Sequence, residues 1–230
     1  MLVFHAFSDQ IRRSPIKISN NIILLLCILY VLKNNIDGAI VECGVESGSY
    51  EYIWIQELQN ERKERDIYMY DTFAGLTEPG NEDYNLINYA NGIWNNPEQV
   101  LKTWKDKKIN EEINDWCNCP LEKVKSRLNS TGYSQNKLHY IVGDVLETLK
   151  IESNIPEKIA ILRLDTDWYE SSKFELIKLY DNVVDGGLII FDDYYFWNGQ
   201  KKATDEFFQE RGIDVTIKKL NEKTGAMIKM

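Results

Sequence analysis

The chain has 230 residues, 43% of them apolar and 27% charged, with a net charge of −9. These proportions suit one soluble globular domain with a sizeable core. The acidic balance excludes a protein that grips nucleic acid mainly by setting clustered Lys and Arg against phosphates, and leaves small or uncharged substrates or a cationic cofactor.

In chain order, residues 1–18 are mixed, with Phe4 and Phe7 placed for local packing. The apolar run 22–32, IILLLCILYVL, is too short to cross a bilayer, which needs about 20 residues. Arg12, Arg13 and Lys17 upstream give it the look of a signal peptide, but no small-residue cleavage site follows. The expectation is therefore a helix from Ser19 or Asn20 to about Asn34, buried against a sheet. After the Asp37-Gly38 turn, Ala39–Cys43 reads as a strand. The stretch Glu42-Cys-Gly44-Val-Glu-Ser47-Gly48-Ser49 then leads into a helix through about Glu64, patterned by Tyr52, Ile55 and Leu58. Strand, glycine-rich turn and helix in that order let a backbone approach a nucleotide and aim helix-terminal N–H groups at it.

A second strand is expected over 67–70, ending at Asp71, an acid placed to accept hydrogen bonds from ribose hydroxyls. Leu138–Val142 is a third strand, followed by Gly143-Asp144. The apolar runs Ile159–Leu164 and 188–191 are the fourth and fifth, with a helix over 171–180 between them. A helix over 201–211 and a hairpin pairing 215–218 with 226–229 close the chain. The alternation predicts an α/β fold: a Rossmann-like doubly wound sheet, mostly parallel, with an antiparallel C-terminal hairpin. The chain is expected to form a single domain over 1–230, with an N-terminal helical segment at 1–36 and an insertion at 72–120. That insertion carries Trp94, Trp104 and Trp116. It reads either as a lid over the sheet rim with the tryptophans as walls or latches, or as a small helical subdomain whose core they form.

Two strand ends carry paired acids: Asp165 and Asp167 after the fourth, Asp192 and Asp193 after the fifth. The crossover between parallel strands puts both ends on one edge of the sheet. Unpaired carboxylates crowded there repel, and a divalent cation relieves them. Asp165, Asp192 and Asp193 offer hard oxygen ligands suited to Mg²⁺, Mn²⁺ or Ca²⁺, and Asp167 lies close enough to serve as a base. The glycine turn, Asp71 and Gly143-Asp144 together suggest a nucleoside cradle: Glu42 towards an ammonium group, Asp71 for ribose, Asp144 near the base. Arg163, inside a buried strand, calls for an acidic partner that spacing alone does not identify. Cys27 and Cys43 read as buried hydrophobes. Cys117 and Cys119 lack a second ligand pair for zinc, since His5 and His139 are the only histidines. A reduced, cytoplasmic chain is expected.

The segments ECGVESGSY, YMYDTFAGL, LRLDTDWYES and GGLIIFDDY resemble the signatures of the macrocin-type O-methyltransferases, over roughly residues 38–210. The resemblance implies the class I methyltransferase fold, S-adenosylmethionine as cofactor and a requirement for Mg²⁺. It implies metal ligands at Asp165, Asp192 and Asp193, with Asp165 and Asp167 as catalytic residues and Asp167 as the base. It implies cofactor contacts at Glu42, Gly44, Ser47, Gly48, Ser49, Asp71, Thr72, Phe73, Gly143 and Asp144. The expected acceptor is a small molecule or glycan with vicinal hydroxyls, such as an antibiotic or surface-glycan precursor. No nucleic-acid partner and no membrane span are expected, and a homo-oligomer stays open. Two other readings remain: a metal-dependent phosphoryl-transfer enzyme or hydrolase, and a non-catalytic nucleoside-binding domain. Against the first, the chain has no GxxxxGK[ST] loop.

Overall fold

A computed structural model describes residues 20–87 and 92–230. Residues 1–19, including Phe4 and Phe7, lie outside the described residues. The element order is α1 (Asn20–Lys33), β1 (Ala39–Cys43), α2 (Ser49–Asn60), β2 (Ile67–Asp71), α3 (Pro97–Lys107), α4 (Leu121–Asn129), β3 (Leu138–Val142), α5 (Val145–Thr148), β4 (Ile159–Leu164), α6 (Tyr169–Leu179), β5 (Val183–Phe191), α7 (Asn198–Glu210), β6 (Lys218–Lys219) and β7 (Gly225–Ile228). One sheet runs in the order β3-β2-β1-β4-β5-β7-β6. All pairs from β3 to β5 are parallel, while β7 joins β5 and β6 in antiparallel register. The expected doubly wound sheet with its antiparallel end is present.

The strands read as mainly apolar runs, interrupted by Glu42, His139 and Arg163, because both sheet faces are covered. Ile40, Ile161, Leu188 and Ile190 face α1, α2 and α4 in one core. Cys43, Leu162, Leu164, Ile189 and Phe191 face α5, α6 and α7 in the other. The apolar run 22–32 is helical, as expected, and buries Ile23, Leu24, Cys27, Ile28 and Val31 in the first core. The Trp54 indole N–H donates to the Leu24 carbonyl at 3.3 Å, tying α1 to α2. Among the described residues no helix is long and apolar enough to cross a membrane.

Several boundaries differ from expectation. The helix after the glycine turn stops at Asn60 rather than Glu64, and Arg62 there takes φ +53. Strand β5 begins at Val183, five residues earlier than its apolar run, and passes through Asp185-Gly186-Gly187. An added Cβ at Gly187 would crowd the Ile159 carbonyl on β4, so glycine lets the strands close there. The hairpin is shorter than 215–218 against 226–229, with β6 only Lys218–Lys219.

The insertion holds α3, begun by an Asn96 side chain that accepts from Gln99 N–H and by Pro97 in the first turn. Trp94 and Trp116 pack with Trp168 and Trp197 from the rim of the sheet, alongside Val100 and Phe196. The Trp104 indole N–H donates to the Leu76 carbonyl at 2.7 Å and that of Trp168 to the Thr77 carbonyl at 2.9 Å. The tryptophans thus form a small third core that joins the insertion to the rim.

Candidate active site

The sheet order reverses direction between β1 and β4, and a crevice opens beyond the C-terminal ends of strands at such a switch point. A cavity occupies that crevice. Its floor is Gly44 after β1, Asp71 and Thr72 after β2, Gly143 and Asp144 after β3, and Asp165, Thr166 and Asp167 after β4. Asp193 closes one side, and Gly75, Leu76, Thr77 and Cys117 of the insertion form the roof. No tryptophan is among these lining residues, so the aromatic rings are not cavity walls.

Gly44 sits where two strand ends cross. It has φ +86, and an added Cβ would lie on the Asp165 carbonyl. The turn that follows is held by Asp71. Its Oδ2 accepts from Val45 N–H at 2.7 Å and Glu46 N–H at 2.8 Å, and its Oδ1 from Phe73 N–H at 2.6 Å. Burial raises the Asp71 proton affinity, and those backbone donors oppose it. Asp144 is both cavity floor and N-cap, accepting from Leu146 N–H at 2.9 Å. Ser47, Gly48, Ser49 and Phe73 are not on the lining. Arg127 donates to the Ser47 carbonyl and the Ser49 hydroxyl, and Gly48 lets Val124 approach. These four shape the turn.

Period-two alternation sorts the acids by sheet face. Glu42 stands opposite Arg163 in register, and Arg163 opposite Ile190, so Glu42, Arg163, Asp165 and Asp192 share the α2 face. Arg163 is fully enclosed and ion-pairs with Glu42, with Asp165 Oδ2 at 2.8 Å and with Asp192 Oδ1 at 2.9 Å. Its guanidinium lies 4.2 Å from the centre of the Tyr50 ring. Desolvation works against its charge, but Asp165, Asp192 and Glu42 together hold its pKa above the usual arginine value. Glu42, expected to reach an ammonium group, is 0% exposed beneath the cavity and is not on its lining. Burial and the neighbouring Glu51 raise its proton affinity, with Arg163 opposing.

Asp193 lies on the opposite, α6/α7 face. Gln200 accepts from Asp193 N–H at 2.7 Å while donating to the Leu164 carbonyl at 2.9 Å. Oxygens of Asp165, Asp167 and Asp193 converge within 4.8 Å of one another. Asp192 is outside that trio, one of its oxygens committed to Arg163 and within 3.4 Å of the Thr224 hydroxyl, which donates to it. Burial, with the neighbouring acids adding to it, pushes the Asp167 carboxyl well above the carboxylate range and Asp193 to about 6. Burial does the same to Asp165, with Arg163 opposing and the other acids adding to the rise. Asp193 Oδ1 is buried with no hydrogen-bond partner. Sequence reasoning missed the roof residues Leu76, at the end of the YMYDTFAGL segment, and Thr77 and Cys117, which carry no motif. It also missed Thr166, flanked by two flagged acids.

The profile of the macrocin-O-methyltransferase (TylF) family matches residues 23–229. Demethyldecarbamoylnovobiocin O-methyltransferase of Streptomyces niveus is 26% identical over 186 residues, which cover 79% of this chain and 62% of that protein. The 8-demethyl-8-(2,3-dimethoxy-alpha-L-rhamnosyl)-tetracenomycin-C 4'-O-methyltransferase of Streptomyces olivaceus is 25% identical over 173 residues, covering 74% of this chain and 58% of that one. The chain therefore spans about three fifths of the length of these relatives. The solved O-methyltransferase NovP superposes with a TM-score of 0.74 at 23% identity, over 91% of this chain and 79% of its own, which establishes the class I methyltransferase fold.

Proposed function

We propose that this chain, which belongs to the macrocin O-methyltransferase family, transfers a methyl group from S-adenosylmethionine to a hydroxyl of a sugar or glycosylated small molecule, with Mg²⁺ at the acid rim. The observation that carries the reading is the convergence of Asp165, Asp167 and Asp193 in the same crevice as the glycine turn. The two curated relatives are named for methylation of a novobiocin precursor and of a sugar 4'-hydroxyl, and the acceptor class follows from them. No lysine or arginine is among the lining residues, which disfavours a phosphate substrate.

The residues present fit both groups. Gly44 and Gly143 bring bare backbone to the cavity, and Asp71, Thr72 and Asp144 put acceptors along two neighbouring strand ends. S-adenosylmethionine, when bound there, supplies a methyl group on a positively charged sulfur. For the metal, the donors are all hard oxygens, and Asp193 Oδ1 lacks a partner. Asp165, Asp192 through its second oxygen, and Asp193 would hold the ion. Mg²⁺, when bound, supplies Lewis acidity that lowers the pKa of a hydroxyl.

The protein's own groups do the rest. Arg163 grips one oxygen of Asp165 and one of Asp192, fixing how both carboxylates turn. With a cation offsetting the neighbouring acids that raise its proton affinity, Asp167 would be ionised and placed to take the proton of the acceptor hydroxyl. Leu76, Thr77 and Cys117 cover the crevice and exclude water, so the segment 72–120 serves as the cover of the site. Glu42 supports the floor from beneath. Holding two reactants together can contribute about 7–11 kcal/mol.

Incubation with S-adenosylmethionine, Mg²⁺ and a panel of nucleotide sugars and glycosides, read by mass spectrometry, tests the reading. An acceptor gaining the mass of one CH₂, abolished by excess EDTA, is expected. Gain that persists in EDTA contradicts the metal role.

A further inference from the structure

Glu175 lies on α6, is 0% exposed, and has no part in the chemistry above. Its Oε1 accepts from the Thr166 hydroxyl at 2.9 Å, and its Oε2 is buried without a partner. Burial pushes its carboxyl up to about 8, the Thr166 hydrogen bond opposing and Asp144 adding to the rise. A carboxyl enclosed in an apolar core with one oxygen unsatisfied destabilises the fold, so its presence calls for a compensating role.

Thr166 supplies that role. Trp168 N–H donates back to the Thr166 carbonyl at 2.8 Å, closing a three-residue turn with Asp167 at its apex at φ +68. A positive-φ apex on a non-glycine residue is strained and persists only where the surroundings over-determine it. Before the turn, Asp165 N–H is held by the Cys43 carbonyl at 2.8 Å. After it, the Trp168 indole is held by the Thr77 carbonyl and Tyr169 N–H by Asp83 at 2.8 Å. Between these anchors, Glu175 holds the Thr166 side chain.

We infer that Glu175 is a positioning residue: through the Thr166 hydroxyl it holds the strained turn that presents Asp167 beside Asp165 and Asp193. The inference rests on the proposed role of those acids, and it predicts that stability and site order move in opposite directions. Glu175→Leu removes a buried unsatisfied oxygen and raises the melting temperature, by about 2–4 °C for each kcal/mol gained. The same variant loosens the turn.

The test is hydrogen exchange by mass spectrometry over 164–170 in the full chain, with melting temperature and Mn²⁺ binding by electron paramagnetic resonance. Glu175→Leu and Thr166→Val should each speed exchange in that peptide roughly tenfold, the worth of one buried hydrogen bond. Both should weaken Mn²⁺ binding, and Glu175→Leu, at a position off the cavity lining, should leave S-adenosylhomocysteine binding unchanged. Glu175→Gln, which keeps the acceptor, should match the wild type. Unchanged exchange at 164–170 in both Glu175→Leu and Thr166→Val overturns the inference. So does a lower melting temperature with faster exchange throughout the chain, which marks Glu175 as merely structural. If Glu175→Leu does not fold, Thr166→Val decides by itself. A wild type that binds no Mn²⁺ refutes the proposed metal instead, and the exchange result still decides the role of Glu175.

Discussion

Arg163 is a single buried positive charge facing the buried Glu42 and the partly buried Asp165 and Asp192. Removing one partner of a buried ion pair leaves the others uncompensated, which costs about 3–5 kcal/mol. Arg163→Leu should therefore lower stability by that amount in urea unfolding, and adding Glu42→Gln should restore part of it. No recovery would show that Glu42 does not depend on the arginine. Asp83 makes a different residue-scale prediction. It is 1% exposed and accepts from Gly80 N–H and Tyr169 N–H, while an added Cβ at Gly199 would collide with it. Burial raises its pKa from 3.8 to about 6, against those two donors. Between these values the folded chain binds more protons than the unfolded one, so stability falls as pH rises, by up to about 1.4 kcal/mol per unit. Its contribution is full below pH 4 and is lost as pH passes 6. The stability of wild type minus that of Asp83→Asn should fall as pH rises over that window; a rise would contradict the sign.

At the scale of elements, β1 to β4 and the second half of β5 were legible because burial on both faces leaves mainly apolar runs, each ended by an acid or a glycine. The first half of β5 was not, because Asp185-Gly186-Gly187 reads as a turn although the sheet needs its glycines for close approach. Helix α3 carried a readable start in Asn96-Pro97, masked by the polar and asparagine-rich sequence around it. The place of Glu42 was not legible, because its pairing with Arg163 depends on the register between β1 and β4, which spacing does not give. Whether the tryptophans were wall or core needed the three-dimensional contacts, since Trp168 and Trp197 come from distant segments. Because Trp168 joins the insertion to the rim by packing and by its bond to Thr77, Trp168→Ala should free the insertion while the sheet stays folded. Limited proteolysis should then cut within 76–116 well before the rest of the chain. Equal cleavage rates in variant and wild type would show that the ring cluster does not hold the insertion down.

For the whole molecule, the sheet reversal between β1 and β4 brings a glycine turn on one strand and an acid pair on its neighbour into one crevice. On the proposed reading, β1 to β3 would serve the nucleoside, and β4 and β5 the ion. The acid rim follows from two strand ends and a crossover, so it could be read from the chain. The grouping of Asp165, Asp167 and Asp193 depends on Arg163 gripping the Asp165 carboxylate and on Gln200 holding the Asp193 backbone N–H, contacts that spacing does not encode. Calorimetric titration with S-adenosylhomocysteine followed by Mg²⁺, on wild type and on Asp193→Asn, separates the two roles most directly. Both proteins should bind S-adenosylhomocysteine alike, and only the wild type should then take up Mg²⁺. Absence of saturable S-adenosylhomocysteine binding in the wild type, or equal Mg²⁺ uptake by both proteins, would contradict the account.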